Sequence, residues 1–315
     1  MGDEKVPSAT RNVSYKSGTI EISAALHLPD GFDEMRTYAA IVIVTPGSSV
    51  KEQIGAVWGG KLADRGFIAL AYDPSYQGQS GGEPRDLEDP AARVEEVRYA
   101  VDYLMTLSFV DEERVGLLGI CAGGGYAVNA ALTEHRFKAV GTVVAVNIGR
   151  ARRQESLSAA AVADTLKAVG KQRTGEARGG AARLDPWIPD SMEEAEAVGI
   201  MDPDVLDAVA FYSERRPAKT RTNRRNFRSL GPLMSFDAFH LVGELLTQPL
   251  QVIVGGRLGT TLQFEDGKLL FERATNKKDM LVIKGAGHYE LYDKDEYVDQ
   301  AVECLDGFYR EYLDP

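Results

Sequence analysis

Apolar and polar positions along this 315-residue chain follow two rhythms, one of period two and one of period three to four. Residues 12–29 alternate and are rich in β-branched side chains, which predicts two strands around a turn at Ser17-Gly18. Residues 38–44 form an unbroken apolar run, the pattern of a strand buried on both faces, and end in the turn Thr45-Pro-Gly-Ser-Ser49. Ile54, Trp58 and Leu62 then recur at helical spacing, with Arg65-Gly66 as a stop. A second buried strand (67–72), a glycine-rich loop (76–82) and a helix from Pro90 carrying Val94, Val97, Val101 and Leu104 on one face come next. The run 115–120 leads as a strand into Cys121, followed by a small-residue helix (124–132) and a strand (139–146).

Strand and helix in alternation predict an α/β fold: a mainly parallel sheet with helices on both faces. The alternation lapses for about a hundred residues, too long for a loop, so residues 148–247 are expected to form a mainly helical insert or lid. Residues 1–147 and 248–315 are then two parts of one core. The second part holds a strand (249–254), a helix (268–274), a last strand (280–283) and a terminal helix repeating Val298, Ala301, Leu305, Phe308 and Tyr312. Within the insert lie a glycine-rich patch at 178–182 and an arginine-dense stretch at 221–228. A solvated, salt-bridged face is the plainer account of those arginines, and docking of an acidic carrier the rival.

Composition narrows the options. Apolar content of 44% and charged content of 26% are those of a globular protein. A net charge of −11 argues against nucleic acid as a partner. Two well-separated cysteines make no disulfide framework, which predicts a reducing, cytoplasmic setting. The first ten residues lack the apolar stretch of a secretory signal, and Val6 replaces the Ser/Thr of a myristoylation pattern begun by Gly2. No apolar run is long enough to span a bilayer, so no membrane partner is expected.

The chemistry concentrates at Gly119-Ile-Cys-Ala-Gly123, a G-x-S-x-G pattern with cysteine at the nucleophile position. Such a nucleophile sits on a strained strand-to-helix turn, and small residues two positions to either side let the backbone pass its neighbours closely. A helix N-terminus also favours a thiolate. Cys304 lies in an amphipathic helix and reads as packing. Of four histidines, His27, His135 and His240 read as structural or exposed. His288 follows the last strand, where the chain order nucleophile–acid–histidine places the base.

The acid is less well marked. The loop 255–266 after the penultimate strand has no carboxylate in its first turn. Asp266 is the leading candidate, though it and Glu265 also suit a helix cap, and Asn147 offers an amide alternative. The backbone N–H of Ala122 is expected to form half of an oxyanion hole, and that of Ser48 or Ser49, freed by Gly47, the other half. Glu52 reads as complementing its own helix dipole rather than contacting the thiol. Neither a metal-ligand cluster nor a dinucleotide fingerprint is present, and the loop 76–82 lacks the Gly-Lys-Ser/Thr of a P-loop, so no cofactor is implied.

Together these segments resemble the dienelactone-hydrolase-like branch of the α/β-hydrolases. Segments 45–53, 72–82 and 119–126 look like a narrower group of bacterial hydrolases and fungal polyketide-cluster thiohydrolases and polyketide transferases. The resemblance implies the α/β-hydrolase fold and an ester or thioester substrate, which includes an acyl chain on a carrier, with release to water, lactonisation or transfer. A homodimer and a non-catalytic binding protein of the same fold stay open. The chain departs from the branch in lacking both a histidine before Pro46-Gly47 and an aspartate in the acid slot.

Overall fold

The structure, a computed structural model, describes residues 9–155, 158–215, 220 and 222–314. The N-terminal residues read for signals and lipidation (Gly2, Val6) and Arg221 lie outside that set. In the first part of the core the strands are β1 (Ala9–Ser17), β2 (Ile20–Leu28), β3 (Tyr38–Val44), β4 (Ile68–Tyr72), β5 (Val110–Ile120) and β6 (Ala139–Val143). Helices α1 (Ala56–Asp64), α2 (Pro90–Met105) and α3 (Ala122–Ala131) join them. The insert carries α4 (Ile148–Glu155), α5 (Ala159–Ala177), α6 (Met192–Ala197), α7 (Pro203–Val209), α8 (Leu230–Ser235) and α9 (Val242–Leu245). Among its described residues the strands are a two-residue antiparallel ladder, β7 (Leu184–Asp185) with β8 (Arg225–Asn226). The core resumes with β9 (Leu250–Gly255), α10 (Gln263–Arg273), β10 (Lys277–Ile283), α11 (Glu290–Asp293) and α12 (Asp295–Leu313).

Eight strands form one sheet in the order β1-β2-β4-β3-β5-β6-β9-β10. The β1–β2 and β2–β4 pairs are antiparallel, and the pairs from β4 to β10 are parallel. The unbroken apolar run of β3 follows from burial on both sides. Ala40, Val42 and Val44 face the layer holding Val97, Leu104 and Tyr126, while Ile41 and Ile43 face Trp58, Leu305 and Tyr309. Truncating one of the fully buried aromatics, such as Trp58, to alanine costs about 3–5 kcal/mol.

The glycine-rich loop 76–82 cradles a carboxylate. Asp73, fully buried at the end of β4, accepts the backbone N–H of Gln79 at 2.8 Å and that of Lys51 at 2.7 Å. A Cβ on Gly78 would stand 2.3 Å from Asp73 Oδ2, and its φ of +50° suits glycine. The Lys51 ammonium, also buried, lies 3.0 Å from the same oxygen and 2.7 Å from Glu52. Glu52 is therefore a partner of Lys51. Asp73, through Lys51, pins the chain just after the turn 45–49, which borders the site.

Among the described residues, no helix is long and apolar enough to cross a membrane. The arginines of 221–228 that are described turn onto the protein. Arg224 pairs with Asp190 at 2.6 Å, Arg228 with Glu176 at 3.1 Å, and Arg225 stacks on Trp187.

Candidate active site

Cys121 sits between β5 and α3 with φ 56° and ψ −127°, a backbone conformation that costs a residue with a Cβ on the order of 1–3 kcal/mol. Three hydrogen bonds hold it there. Its N–H donates to Val143 at 3.1 Å, and its carbonyl accepts from Gly124 and Val146, both at 2.9 Å. The neighbouring glycines are required by contact. A Cβ on Gly123 would lie 2.1 Å from the Val44 carbonyl oxygen, and one on Gly119 would lie 2.6 Å from that of Gly123. Such a turn lifts the thiol off the end of the sheet and aims the start of α3 at it.

The thiol opens into a cavity of about 380 Å³ walled by core and insert, among them Ile148, Arg152, Trp187, Val205, His288 and Tyr289. A narrower extension reaches Gly47, Ser48, Ala122 and Tyr212. In the cavity wall Trp187 is held by Nε1 donating to the Arg224 carbonyl at 3.1 Å, and Arg152 stacks on it 4.8 Å from a ring centre.

Burial outweighs the helix terminus. It pushes the Cys121 thiol up to about 11, against the lowering effects of Tyr292, the Ala122 N–H and Arg152. His288, 1% exposed in the turn after β10, is pushed down to about 3 by the same desolvation. Desolvation thus favours the neutral thiol and the neutral imidazole, where the helix dipole alone favours a thiolate. Tyr292 touches both: its hydroxyl is 3.0 Å from His288 Nε2 and is also the side-chain partner of the Cys121 thiol. Phe211 and Tyr289 pack against Tyr292 edge to face, Tyr212 packs edge to face on Phe211, and Tyr212 donates to the Gly47 carbonyl at 3.0 Å.

The acid candidates have other partners than His288. Asp266, fully buried in the first turn of α10, accepts the Asn147 N–H at 2.9 Å and lies 2.7 Å from the Arg150 guanidinium. It ties α10 to the start of the insert, and no hydrogen bond links it to His288. Asn147 is equally committed, with Nδ2 donating to Asp237 at 2.7 Å. Glu265 is exposed. His288 Nδ1 is buried and meets no hydrogen-bond partner among the described residues. Of the oxyanion candidates, Ser49 turns its N–H back to the Pro46 carbonyl at 3.4 Å. Ser48 lies beside Cys121 and Ala122, and it, rather than Gly47, takes the left-handed conformation with φ 55°. Its hydroxyl is fastened to the Arg224 backbone, accepting from the N–H at 3.1 Å and donating to the carbonyl at 3.3 Å.

Tyr292, Trp187 and Arg152 carried no chemical motif. Tyr292 follows His288 by four residues, a spacing that brings the two side chains together only where a helical turn joins them, and no cap or periodic run in the sequence marks that turn. The other two reach the thiol because the insert folds back over the core.

A parallel sheet, a strained turn at the end of a central strand and a histidine after the last strand define an α/β-hydrolase architecture. The chain belongs to the alpha/beta hydrolase family, whose family model matches residues 42–300. It is 39% identical over 300 residues to YcjY, an uncharacterised protein of Escherichia coli, with 94% of this chain and 95% of YcjY covered. PA2218, an uncharacterised protein of Pseudomonas aeruginosa, is 31% identical over 93% of this chain and 78% of its own length. The crystal structure of PA2218 superposes with a TM-score of 0.85 at 28% identity over 98% and 94% of the two chains. A thiohydrolase of Eupenicillium brefeldianum is 24% identical over 81% of each chain. The polyketide transferase GrgF of a Penicillium species is 24% identical over 72% of this chain and 73% of its own. The GrgF crystal structure shares the fold, with a TM-score of 0.78 at 19% identity over 98% and 100% of the chains.

Proposed function

We propose that this protein is an acyl-transfer enzyme that uses Cys121 as nucleophile and His288 as base on an ester or thioester. The observation that carries this reading is the pairing of a strained cysteine at the head of α3 with a buried histidine in the wall of the same cavity. Because both groups rest neutral, the proton has to leave as the bond forms. Sγ attacks the acyl carbonyl, the thiol proton passes to the Tyr292 oxygen, and the Tyr292 proton passes to His288 Nε2. The carbonyl oxygen, now an anion, is received by the N–H groups of Ala122 and Ser48. Collapse expels the leaving group, an alcohol or a thiol, which takes the proton back from His288. The acyl-thioenzyme that remains passes its acyl group to water, or to a hydroxyl of the same chain or of a second molecule. The largely apolar wall around Trp187 suits an apolar acyl chain, and the relatives named thiohydrolase and polyketide transferase favour a thioester donor. Exclusion of water by the insert then decides between hydrolysis and lactonisation or transfer.

The test compares wild type with Cys121→Ala on p-nitrophenyl esters and on acyl thioesters of N-acetylcysteamine, with mass spectrometry of the quenched enzyme. The expected result is an acyl adduct on the Cys121 peptide and no turnover by the variant. Turnover undiminished in Cys121→Ala moves the nucleophile elsewhere.

A further inference from the structure

We propose that Asp204, brought in by the insert on α7, is the carboxylate that orients His288 and fills the acid position left empty by the loop after β9. The inference rests on the Cys121–His288 reading. Residues 256–262 of that loop are Gly-Arg-Leu-Gly-Thr-Thr-Leu, with no carboxylate to offer. Asp204 stands in the gap. It is 4% exposed, and its Oδ2 accepts the backbone N–H of Thr261 at 3.1 Å. A Cβ on Gly259 would lie 2.1 Å from that oxygen and 2.5 Å from Cγ, so the Asp204 carboxyl occupies the volume in which a side chain of the loop itself would begin. Asp204, Thr260, Thr261 and His288 wall one cavity.

The other charged groups nearby are engaged. Arg257 is held by Asp207 at 2.5 Å and Glu290 at 3.3 Å, and Asp202 accepts from the Thr260 hydroxyl at 2.5 Å. Asp204 adds to the field that raises the Arg257 pKa, but among the described residues no ion pair at contact distance includes it. His288 faces Tyr289 and Tyr292 on its other sides and keeps a buried Nδ1 with no partner among the described residues. The order Cys121, Asp204, His288 is also that of nucleophile, acid and base in this architecture. No hydrogen bond joins Asp204 to His288 here. Catalytic hydrogen bonds tighten in the substrate complex, and α7 lies in the wall of the same cavity. Asp204 is thus a positioning residue, acting through the imidazole tautomer and its basicity.

The experiment measures kcat/KM against pH for Asp204→Asn, Asp266→Asn, Asp204→Ala and Asp204→Ala/Gly259→Asp, with thermal melting as a check on folding. Asparagine keeps an acceptor for the Thr261 N–H. Asp204→Asn is expected to lose at least about tenfold in kcat/KM and to move the acid limb to lower pH, since removing a carboxylate makes His288 less basic. Asp266→Asn should leave that limb in place, and Gly259→Asp should restore activity to Asp204→Ala by returning the carboxylate to the loop. A folded Asp204→Asn enzyme with wild-type rate and profile overturns the proposal, as does a loss with no shift of the limb and no restoration by Gly259→Asp. Cys121→Ala run alongside separates the two ideas, because turnover without the thiol defeats the Cys–His reading itself.

Discussion

The hydroxyl of Tyr292 lies 3.0 Å from Nε2 of His288, one helical turn further along the chain, and is also the side-chain hydrogen-bond partner of the Cys121 thiol. A phenol thus touches both side chains of the proposed Cys–His pair. Tyr292→Phe keeps the ring among Phe211, Tyr212 and Tyr289, and so the fold, but breaks the proton path. The acylation rate should fall on the order of 10²-fold with little change in melting temperature. An unchanged rate in single-turnover acylation would show that the imidazole reaches the thiol without Tyr292.

The half-buried, desolvated thiol carries its own signature. With its pKa pushed up to about 11, Cys121 should react with iodoacetamide roughly tenfold faster for each pH unit between about pH 7 and 10, with no plateau near neutrality. A plateau below about pH 8 would mean that a thiolate–imidazolium pair forms at rest, the state expected where a charge partner dominates over burial.

Glycines of the elbow and of α1 should respond in opposite ways. Gly123→Ala drives a Cβ against the carbonyl oxygens of Val44 and Thr45, which are backbone at the end of β3 and just after it and cannot yield. It should lose activity and about 1–3 kcal/mol of stability in chemical denaturation. Gly60→Ala, inside α1 with nothing within 4 Å of the new methyl, should gain about 0.5–1 kcal/mol. Equal effects at both positions would remove the steric account of the elbow.

Glu96 sets a pH dependence away from the thiol. Burial on α2 raises its carboxyl to about 7 from the ordinary 4.5, even with Arg93 beside it. A raised folded-state pKa means that the folded protein holds a proton that the unfolded chain releases. This contribution to stability is complete below pH 4.5 and is lost as pH rises through about 7. Glu96→Gln retains an acceptor for the Ser75 N–H, which now meets Oε1 at 2.9 Å. Denaturation midpoints measured across that window should decline less steeply for the variant than for wild type. Parallel curves would place the proton elsewhere.

Local pattern determined a large part of this protein. The uninterrupted apolar runs of β3 and β4 belong only in a sheet covered on both faces, and Gly119-Ile-Cys-Ala-Gly123 is a contact requirement written into adjacent residues, so strand order along the chain and the elbow that carries Cys121 were legible from one dimension. The turn after the last strand carries His288 into the wall of the cavity that Cys121 lines. What the sequence left open depends on contacts between residues far apart in the chain. Asp266 had the right place in the order of elements, but its carboxylate is used to fasten α10 to Asn147 and Arg150. The turn 45–49 took its left-handed residue at Ser48, whose hydroxyl is fastened to the Arg224 backbone. Asp204 and Trp187 reach the cavity, and Tyr292 reaches His288, because the insert and α11 fold back over the core, a placement with no periodicity to announce it. The protonation of the site was likewise settled in three dimensions. A helix N-terminus can be read from sequence, but the burial that overrides it and leaves both Cys121 and His288 neutral exists only once the insert, α11 and the core have closed around them.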